Sequence, residues 1–391
     1  MEKKNILPIS SILFAFFIMG FCDIVGISSD YVQRTFHWSP FMTGFIPSLV
    51  FIWFLFLGIP VGSLMNKWGR KNTVMLSLVI TIMGMFLPLI HYSSLSCILA
   101  YVFLGIGNAI LQVSLIPLMT NVITNNRMFT SAITGGQVVK AVSSLVGPEF
   151  ILFAVAAWGD EKWYYCFPLL GVVSIASAVL LHFSAIKREE LIPSDSLKSI
   201  AEGAALLADK KILMLFLGIF FVVGVDVSTN FVSSKIMTDR FGWTAEMAKF
   251  APQVYFLSRT IGALLGAFLL SRIAEVKYFK VNILACLITL LVWAMVAEEY
   301  VNIACIAGVG FFASSVFAIL YSLAVQHRPE KANQISGLMI TAIAGGAVVT
   351  PVIGALTPMI GVTAGIWVTM ACVVYLIFCA FKCGTKKQVA N

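Results

Sequence analysis

Charged side chains are scarce in this chain of 391 residues: Asp, Glu, Lys and Arg make up 11% of it, while hydrophobic residues make up 60%. A soluble domain carries about 25% charged residues. So few charges cannot cover a surface that faces water, which excludes a soluble globular protein and indicates an integral membrane protein. The net charge of +8 does not indicate a nucleic-acid partner, because the basic residues fall between apolar runs, as membrane topology requires.

Motifs of energy conversion and catalysis are also missing. There is no G-x-x-x-x-G-K-[ST] pattern, which argues against an ATP-driven pump, and no H-E-x-x-H pattern. The four histidines lie at the ends of apolar runs and far apart, so a metal-dependent enzyme is not expected. The eight cysteines lie mostly within apolar runs and lack paired spacing, as small packing residues do. We therefore expect no enzyme activity, no cofactor and no metal.

The chain has instead many apolar runs of roughly 20 residues, the length that crosses a membrane. They predict an all-α integral membrane fold with twelve transmembrane helices, numbered here as spans 1 to 12: 6–33, 40–65, 72–91, 95–123, 128–157, 162–185, 209–238, 243–271, 277–297, 299–327, 332–358 and 360–382. One long polar break follows span 6. We predict two six-helix halves, 1–185 and 209–391, joined by a cytoplasmic linker at 186–208.

The basic residues set the topology. With a cytoplasmic N-terminus, most of the 26 Lys and Arg residues fall in cytoplasmic segments, as the positive-inside rule requires. We therefore expect both termini in the cytoplasm and a multi-pass protein of the plasma (inner) membrane. The first run resembles a signal peptide, but it lacks an A-x-A-like site and is too long, so we interpret it as an uncleaved first helix.

The two halves resemble each other. FHWSPFMTGFIPSLVF at 36–51 aligns with FGWTAEMAKFAPQVYF at 241–256 without a gap, so span 2 repeats as span 8. GGQVVKAVSSLVGP at 135–148 aligns with GGAVVTPVIGALTP at 345–358, so span 5 repeats as span 11. Parallel repeats of this kind are typical of transporters that bind their substrate between two halves near the middle of the membrane.

A loop between spans 2 and 3, GSLMNKWGRK at 62–71, resembles the signature loop G-x-L-x-D-R-x-G-R-R of the major facilitator superfamily. The resemblance implies the twelve-helix major facilitator fold, and it assigns this loop to gating. The expected gating residues are Gly62, Asn66, Lys67, Gly69 and Arg70. Asn66 departs from the pattern, because the family usually has Asp there.

A narrower resemblance covers VGVDVS at 223–228, SRTIGA at 258–263 and GGAVVTPVIG at 345–354. These segments are similar to those of the fucose–galactose–glucose:proton symporter family. The resemblance implies a proton-coupled sugar importer that works by alternating access. That family has carboxylates in spans 1 and 4, but here Gln112, which cannot titrate, takes the place of the span-4 acid. Coupling therefore differs here, or protons are not coupled.

Ionisable residues inside apolar spans normally face the bundle interior, pair with each other or line a substrate path. Asp23 in span 1 is the first candidate for substrate binding and proton coupling. Lys140 in span 5 has three interpretations. It pairs with Asp23 until a proton or the substrate arrives and breaks the pair, it is the counter-charge for an acidic substrate, or it belongs to a permanent pair that serves packing only. Gln137 lies on the same face as Lys140.

Other polar residues inside the spans complete the predicted substrate site. Asn108 and Gln112 lie four residues apart on span 4, hence on one face, and amides both donate to and accept from sugar hydroxyls. Asp226 and Asn230 repeat this spacing on span 7, and the charges predict an ion pair between Asp226 and Arg259. Asp226 is the second candidate for proton coupling, and Tyr255 is a candidate for stacking on a sugar, although core packing explains such aromatic residues better.

The sequence thus predicts a monomeric secondary transporter that imports a monosaccharide by proton symport. Movement of 1–185 against 209–391 would expose a site lined by spans 1, 4, 5, 7, 8, 10 and 11 to each side in turn. Two alternatives stay open: an importer of an acidic sugar, with Lys140 as counter-charge, and a drug or metabolite exporter of the same superfamily. The expected partners are the small substrate, protons and membrane lipid.

Overall fold

The computed structural model describes residues 6–38, 46–123, 125–191, 196–248 and 250–383, and it forms helices and turns but no strand within these ranges. The helices are α1 Ile6–Met19, α2 Val25–Phe36, α3 Ile46–Phe51, α4 Trp53–Trp68, α5 Arg70–Ile90, α6 Ser94–Thr120, α7 Asn126–Trp158, α8 Cys166–Phe183, α9 Ser196–Ala205, α10 Lys210–Phe241, α11 Ala245–Ala248, α12 Phe250–Leu270, α13 Glu275–Met295, α14 Glu299–Ala313, α15 Val316–His327, α16 Ala332–Thr341, α17 Gly345–Ile360 and α18 Ala364–Cys383.

Nine helices or continuous helical runs in the described ranges are long and apolar enough to cross a membrane. The three other predicted spans consist of shorter helices. Span 1 is α1 and α2 on either side of the 3-10 turn Gly20–Ile24, span 2 includes α3 and α4, and span 11 is α16 and α17 joined by the 3-10 turn Ala342–Ala344. Residues 40–45 of span 2 lie outside the described residues. The prediction of an all-α membrane fold is confirmed.

Exposed apolar faces explain why these helices need lipid around them. On α13, Val281, Leu284, Ile288 and Leu291 recur at helical spacing and are 39% to 62% exposed. A continuous apolar stripe of this kind on the outside of a molecule marks a membrane contact. The opposite face of α13 buries Phe279, among others, against the interior.

Polar residues set the helix ends. Ser93 starts α6 with a capping box, in which its hydroxyl accepts from the Ser96 N–H while the Ser96 hydroxyl accepts from the Ser93 N–H. Asp209 starts α10 by accepting from the N–H groups of Lys211 and Ile212. Gly69, with φ of 88°, separates α4 from α5, because other residues rarely adopt this backbone conformation.

Contacts divide the chain into two compact units. Unit 1 comprises Met1–Thr124, Gly136–Ala205 and Glu330–Thr341, and its buried aromatic residues include Trp163 and Phe167. Unit 2 comprises Asn125–Gly135, Leu206–Pro329 and Ala342–Asn391, and it buries Trp293 and Tyr321. The units therefore differ from the sequence halves 1–185 and 209–391 in two segments. The start of α7 lies in unit 2, and α16 lies in unit 1.

Candidate functional site

Asp226 on α10 is the best-defined charged group in unit 2. The Arg259 guanidinium donates through Nη2 to Asp226 Oδ2 at 2.7 Å, and the Tyr255 hydroxyl donates to Asp226 Oδ1. Tyr255 and Arg259 are four residues apart on α12, so one helix face supplies both donors. The ion pair predicted from the sequence is therefore formed, and a tyrosine that the charge argument did not include completes it.

This ion pair is not sealed in the core. The side chains of Arg259 and Asp226 are 33% and 21% exposed, so neither charge is fully buried in this structure. Tyr255 is fully buried, and its ring packs beside Gly310, where a Cβ would lie 3.0 Å from the ring. In this structure Tyr255 orients Asp226 instead of presenting a ring face. Asn230 lies one helical turn after Asp226 and is half-buried.

Asn108 and Gln112 on α6 form the corresponding polar face in unit 1. Both side chains are buried, at 3% and 6% exposure. Neither Oδ1 nor Nδ2 of Asn108 finds a hydrogen-bond partner among the described residues. Leaving a buried polar group unpaired costs roughly 1–3 kcal/mol, so such a group in a native fold requires an explanation such as a bound water or ligand. Asn108 therefore stays a candidate for substrate binding.

The break in span 1 packs closely against α7 within unit 1. A Cβ at Gly20 would lie 2.6 Å from the Lys140 carbonyl oxygen and 2.7 Å from the Ser143 hydroxyl, so glycine is required at this contact. Asp23 belongs to the same 3-10 turn, Gly20–Ile24. The turn that carries Asp23 thus lies beside the turn of α7 that carries Lys140.

The Asp23 side chain itself lies outside the described residues, so the Asp23–Lys140 ion pair stays a prediction. Lys140 is half-buried, and its carbonyl oxygen accepts a hydrogen bond from the Ser144 hydroxyl at 3.0 Å. Gln137, one turn earlier on α7, is half-buried as well. The three interpretations of Lys140 therefore remain open at this point.

The predicted gating loop forms a dense hydrogen-bond network in unit 1. Arg70, the first residue of α5, donates through Nη1 to the Thr120 hydroxyl at 2.7 Å and to Asn121 Oδ1 at 2.6 Å. It donates through Nε to Asn333 Oδ1 at 2.8 Å. Arg70 thereby ties the start of α5 to the end of α6 and to α16.

Asn333 on α16 also explains the role of Asn66. The Asn333 amide donates through Nδ2 to Asn66 Oδ1 at 2.7 Å while it accepts from Arg70, so it bridges two residues of the loop. Gly62 allows this approach, because a Cβ there would lie 2.6 Å from the Asn333 carbonyl oxygen. Lys67 is exposed and lies at the surface of this network.

Glu189 supplies a carboxylate at the start of α5. It accepts hydrogen bonds from the Arg70 backbone N–H and, at 2.5 Å, from Asn121 Nδ2. A carboxylate at a helix N-terminus is stabilised by the unpaired N–H groups and by the helix dipole. Sequence reasoning missed both Glu189 and Asn333. Glu189 lies in the polar linker, where an acidic residue is expected at the solvated surface. Asn333 lies at the beginning of an apolar run, where a polar residue is normal.

Comparisons with known proteins agree with this architecture. Residues 9–351 match the family model described as Major Facilitator Superfamily. A putative glucose/galactose transporter of Helicobacter pylori is 25% identical over an alignment of 411 residues that covers 99% of each chain. A glucose/galactose transporter of Brucella abortus is 24% identical over 394 residues, which cover 96% of this chain and 94% of the relative.

Among solved structures, the transporter FucP in its outward conformation matches 98% of this chain and 100% of its own, with a TM-score of 0.85 and 17% identity. The proton:xylose symporter XylE, bound to 6-bromo-6-deoxy-D-glucose, matches with a TM-score of 0.74 and 14% identity over 96% of this chain and 95% of its own. At these identities the structural likeness concerns the fold.

Proposed function

Since the chain belongs to the Major Facilitator Superfamily, we propose that it imports a monosaccharide together with protons by alternating access. The observation that carries this proposal is the buried Asn108 amide, whose two polar atoms lack partners among the described residues. A sugar hydroxyl both donates and accepts, so it satisfies an amide oxygen and an amide nitrogen at once. The relatives named as glucose/galactose transporters support the choice of a sugar as substrate.

Two polar faces supply the proposed sugar contacts. In unit 1 these are Asn108 and Gln112, with Gln137 and Lys140 on α7. In unit 2 they are Asp226, Asn230 and Arg259, and Tyr255 fixes the orientation of Asp226. A neutral hydroxyl that binds beside the ion pair gains a charge-assisted hydrogen bond, which is stronger than a neutral one. Specific sugar recognition needs few such groups if they are fixed in place.

Asp23 is the proposed proton carrier. Transport coupled to protons requires a group that gains and loses a proton within the membrane during the cycle, and ionisable residues at such depth are functional by default. The 3-10 turn of Asp23 packs beside Lys140. In the proposed cycle the Asp23 carboxylate faces the Lys140 ammonium, and protonation of Asp23 weakens that pair. Asp226 is the second candidate, because its carboxylate is partly exposed.

The gating loop is proposed to hold α16 to unit 1 during one part of the cycle. Residues 330–341 lie in unit 1, although they belong to the second sequence half. If the halves 1–185 and 209–391 move against each other, the bonds of Asn333 to Arg70 and Asn66 break in one of the two states. Such rearrangement of a helix between two packed partners is typical of alternating access.

An acidic sugar is the alternative substrate, and the half-buried residue Lys140 favours it. A uronic or sialic acid would place its carboxylate against Lys140, as cations within membranes often serve as counter-charges. Glucose and galactose are neutral, so the names of the relatives favour the first proposal.

The deciding experiment measures external pH in a weakly buffered suspension of cells that express the protein, while single sugars are added. Glucose, galactose and fucose represent neutral hexoses, and uronic and sialic acids represent acidic ones. Alkalinisation with a neutral hexose is the expected result. A pH response to the acids alone would support the acidic sugar as the substrate instead of a neutral hexose. If labelled hexoses enter without any pH change, proton coupling is wrong and sugar transport is right.

A further inference from the structure

Three lysines lie where α13 begins and α18 ends. These two helices pack against each other within unit 2. Lys277 lies in the first turn of α13, Lys280 lies in the second turn, and Lys382 is the last residue but one of α18. The side chains of Lys277 and Lys280 form no hydrogen bond or salt bridge with the described residues. One end of this helix pair therefore carries positive charge that the described residues do not neutralise.

Two of the ammonium groups lie over aromatic rings of α18. Lys280 Nζ lies 4.9 Å from the centroid of the Phe381 ring, and Lys382 Nζ lies 5.8 Å from that of Phe378. The two rings are three residues apart, hence on one face of α18, and each residue is 49% exposed. A ring attracts an ammonium group but does not replace an anion as the acceptor of its three N–H donors. Lys280 therefore keeps its capacity to bind an anion.

An apolar surface continues from these lysines along both helices. On α18, Val374, Phe378 and Phe381 recur at helical spacing and are 49% to 54% exposed. The exposed stripe of α13 described above begins at Val281, directly after Lys280. Exposed apolar stripes on membrane-spanning helices face the acyl chains of lipids. Two such stripes that end in ammonium groups match a molecule with apolar chains and an anionic headgroup.

The equivalent helices of the first half use their lysine differently. Spans 3 and 6 hold the same places in the first half as spans 9 and 12 in the second, so α5 and α8 are the counterparts of α13 and α18. Lys71 on α5 donates through Nζ to the carbonyl oxygens of His182 at 2.9 Å and Ser184 at 2.8 Å, at the end of α8. A lysine often binds the last carbonyl groups of a helix in this way. Lys277 and Lys280 make no such bonds to described residues, so helix capping does not explain them.

Glu275 is the carboxyl group closest in sequence to Lys277 and Lys280, and it does not neutralise them. Its Oε2 accepts from the Thr130 hydroxyl of α7 at 2.6 Å. Gln326 of α15 lies 3.5 Å from the same oxygen through Nε2. The salt bridges among the described residues do not include Glu275. The carboxylate is therefore engaged by other helices, and the lysines remain suited to an anion from outside the chain.

We propose that the end of the α13–α18 pair binds an anionic phospholipid of the surrounding membrane. The site consists of Lys277, Lys280, Lys382, Phe378 and Phe381, and we refer to it as the lysine site. The headgroup phosphate binds to the ammonium groups, and the acyl chains lie along the two apolar stripes. A zwitterionic lipid brings its own cation and no net charge, so it gains less from the lysines. The inference requires only that the two helices cross a membrane, and it does not depend on what the protein transports.

Substitution of the lysines by glutamine tests the lysine site. Lys280→Gln and Lys382→Gln each remove one positive charge and keep a polar side chain, and the double variant removes both charges. Lys280→Arg keeps the charge and its place over the Phe381 ring, because guanidinium groups also bind aromatic faces. The affinity for an anionic lipid should therefore follow the charge and not the identity of the side chain.

Lys162→Gln is the matched control. Lys162 also lies over aromatic rings, because its Nζ is 5.7 Å from the ring centroids of both Tyr164 and Tyr165. It directly follows Asp160 and Glu161 in the sequence, so the neighbouring carboxylates repel an anionic headgroup. Loss of this lysine changes the net charge of the protein as much as Lys280→Gln does, without removing a group of the lysine site.

The readout is thermal unfolding of the purified full chain in a neutral detergent. The protein is titrated with short-chain phosphatidylglycerol, short-chain phosphatidylcholine or inorganic phosphate, since a ligand that binds only the folded state raises the unfolding temperature. We expect phosphatidylglycerol to act at the lowest concentration. Lys280→Gln and Lys382→Gln should each weaken its apparent affinity roughly fivefold, the effect of one lysine beside an anionic lipid. Lys280→Arg and Lys162→Gln should stay within about twofold of the wild type.

Three results would overturn the lysine site. Equal stabilisation by the two lipids would mean that the headgroup charge is not recognised. An equal loss of affinity in Lys162→Gln and Lys280→Gln would show an effect of net charge alone. Stabilisation by inorganic phosphate at the same concentrations would indicate a site for a free anion instead of a lipid. If a variant unfolds earlier without any lipid, native mass spectrometry decides, because it counts bound phosphatidylglycerol directly: retention equal to that of the wild type would refute the site, and loss would support it.

Discussion

At the scale of single residues, a substitution of Asn108 should affect stability and function in different ways. Its buried amide has no hydrogen-bond partner among the described residues, so Asn108→Leu, a substitution of similar shape, should keep or raise the free energy of unfolding, by up to about 1–3 kcal/mol. The same change should raise the KM for the transported sugar, because an interaction with a hydroxyl is lost. Thermal unfolding in detergent and initial uptake rates measure the two effects.

Ser177→Ala is the control for Asn108→Leu. Ser177 is also buried in unit 1, and its hydroxyl also has no partner in the described part of the chain. Ser177 lies on α8, outside the proposed site, so the KM of the Ser177→Ala variant should match that of the wild type. A destabilised Asn108→Leu protein with normal KM would mean that the amide serves packing and does not bind substrate.

Asp23 carries the coupling prediction at this scale. Asp23→Asn keeps the size and a hydrogen-bonding group of the side chain but cannot release a proton. We expect the variant to lose accumulation of sugar against a gradient and to retain downhill exchange. Exchange requires only sugar binding and the movement of the two halves, and neither step needs release of a proton. Uphill uptake and counterflow in the same vesicles measure both activities, and full uphill transport by Asp23→Asn would end this assignment.

At the scale of helices, Gly62 controls how closely α4 approaches α16. A Cβ at Gly62 would lie 2.6 Å from the Asn333 carbonyl oxygen, which is too close for a methyl group, so Gly62→Ala should push α16 away and weaken the Arg70–Asn333 bond. We expect uptake to fall roughly tenfold, the effect of about 1.4 kcal/mol on the gate equilibrium. Gly135→Ala is the control, because no described residue outside its own stretch of helix lies within 4 Å of its Cβ position. Similar uptake by the two variants would contradict the gating role.

The same scale shows what the sequence can predict. The spans follow from apolar runs of membrane length, and each predicted span contains a helix or a series of short helices in the described ranges. The Asp226–Arg259 pair follows from the rule that charges within membranes need partners. The breaks at Gly20–Ile24 and Ala342–Ala344 do not follow, because their residues fit a continuous apolar helix as well as a turn.

Contacts between distant elements were beyond sequence reasoning. Glu189, Glu275 and Asn333 each lie at a polar boundary of an apolar run, where hydrophilic residues are normal. Only the packing of α5, α13 and α16 places them beside Arg70, Thr130 and Asn66. A second difficulty is that residues 125–135 and 330–341 pack with the unit opposite to their sequence half. No local pattern encodes that arrangement, because most of the residues that each segment packs with lie in distant parts of the sequence.

At the scale of the whole molecule, the proposed alternating access requires α16 to separate from unit 1. A disulfide between positions 66 and 333 tests this requirement, because Asn66 Oδ1 and Asn333 Nδ2 lie 2.7 Å apart and the two helices approach each other closely at Gly62. Asn66→Cys/Asn333→Cys, oxidised with copper phenanthroline, should hold α16 to α4 and stop net uptake. Reduction should restore it. The single variants, treated in the same way, control for oxidation of the eight native cysteines.

The oxidised protein also tests which step needs the release of α16. If α16 leaves unit 1 only when the site changes sides, the crosslinked protein should still bind sugar from one side with normal affinity while transport and exchange both stop. Binding that is lost together with transport would mean that α16 moves when the sugar enters. Uptake that continues at the normal rate with a complete crosslink would rule out release of α16 from unit 1 as a step of the cycle.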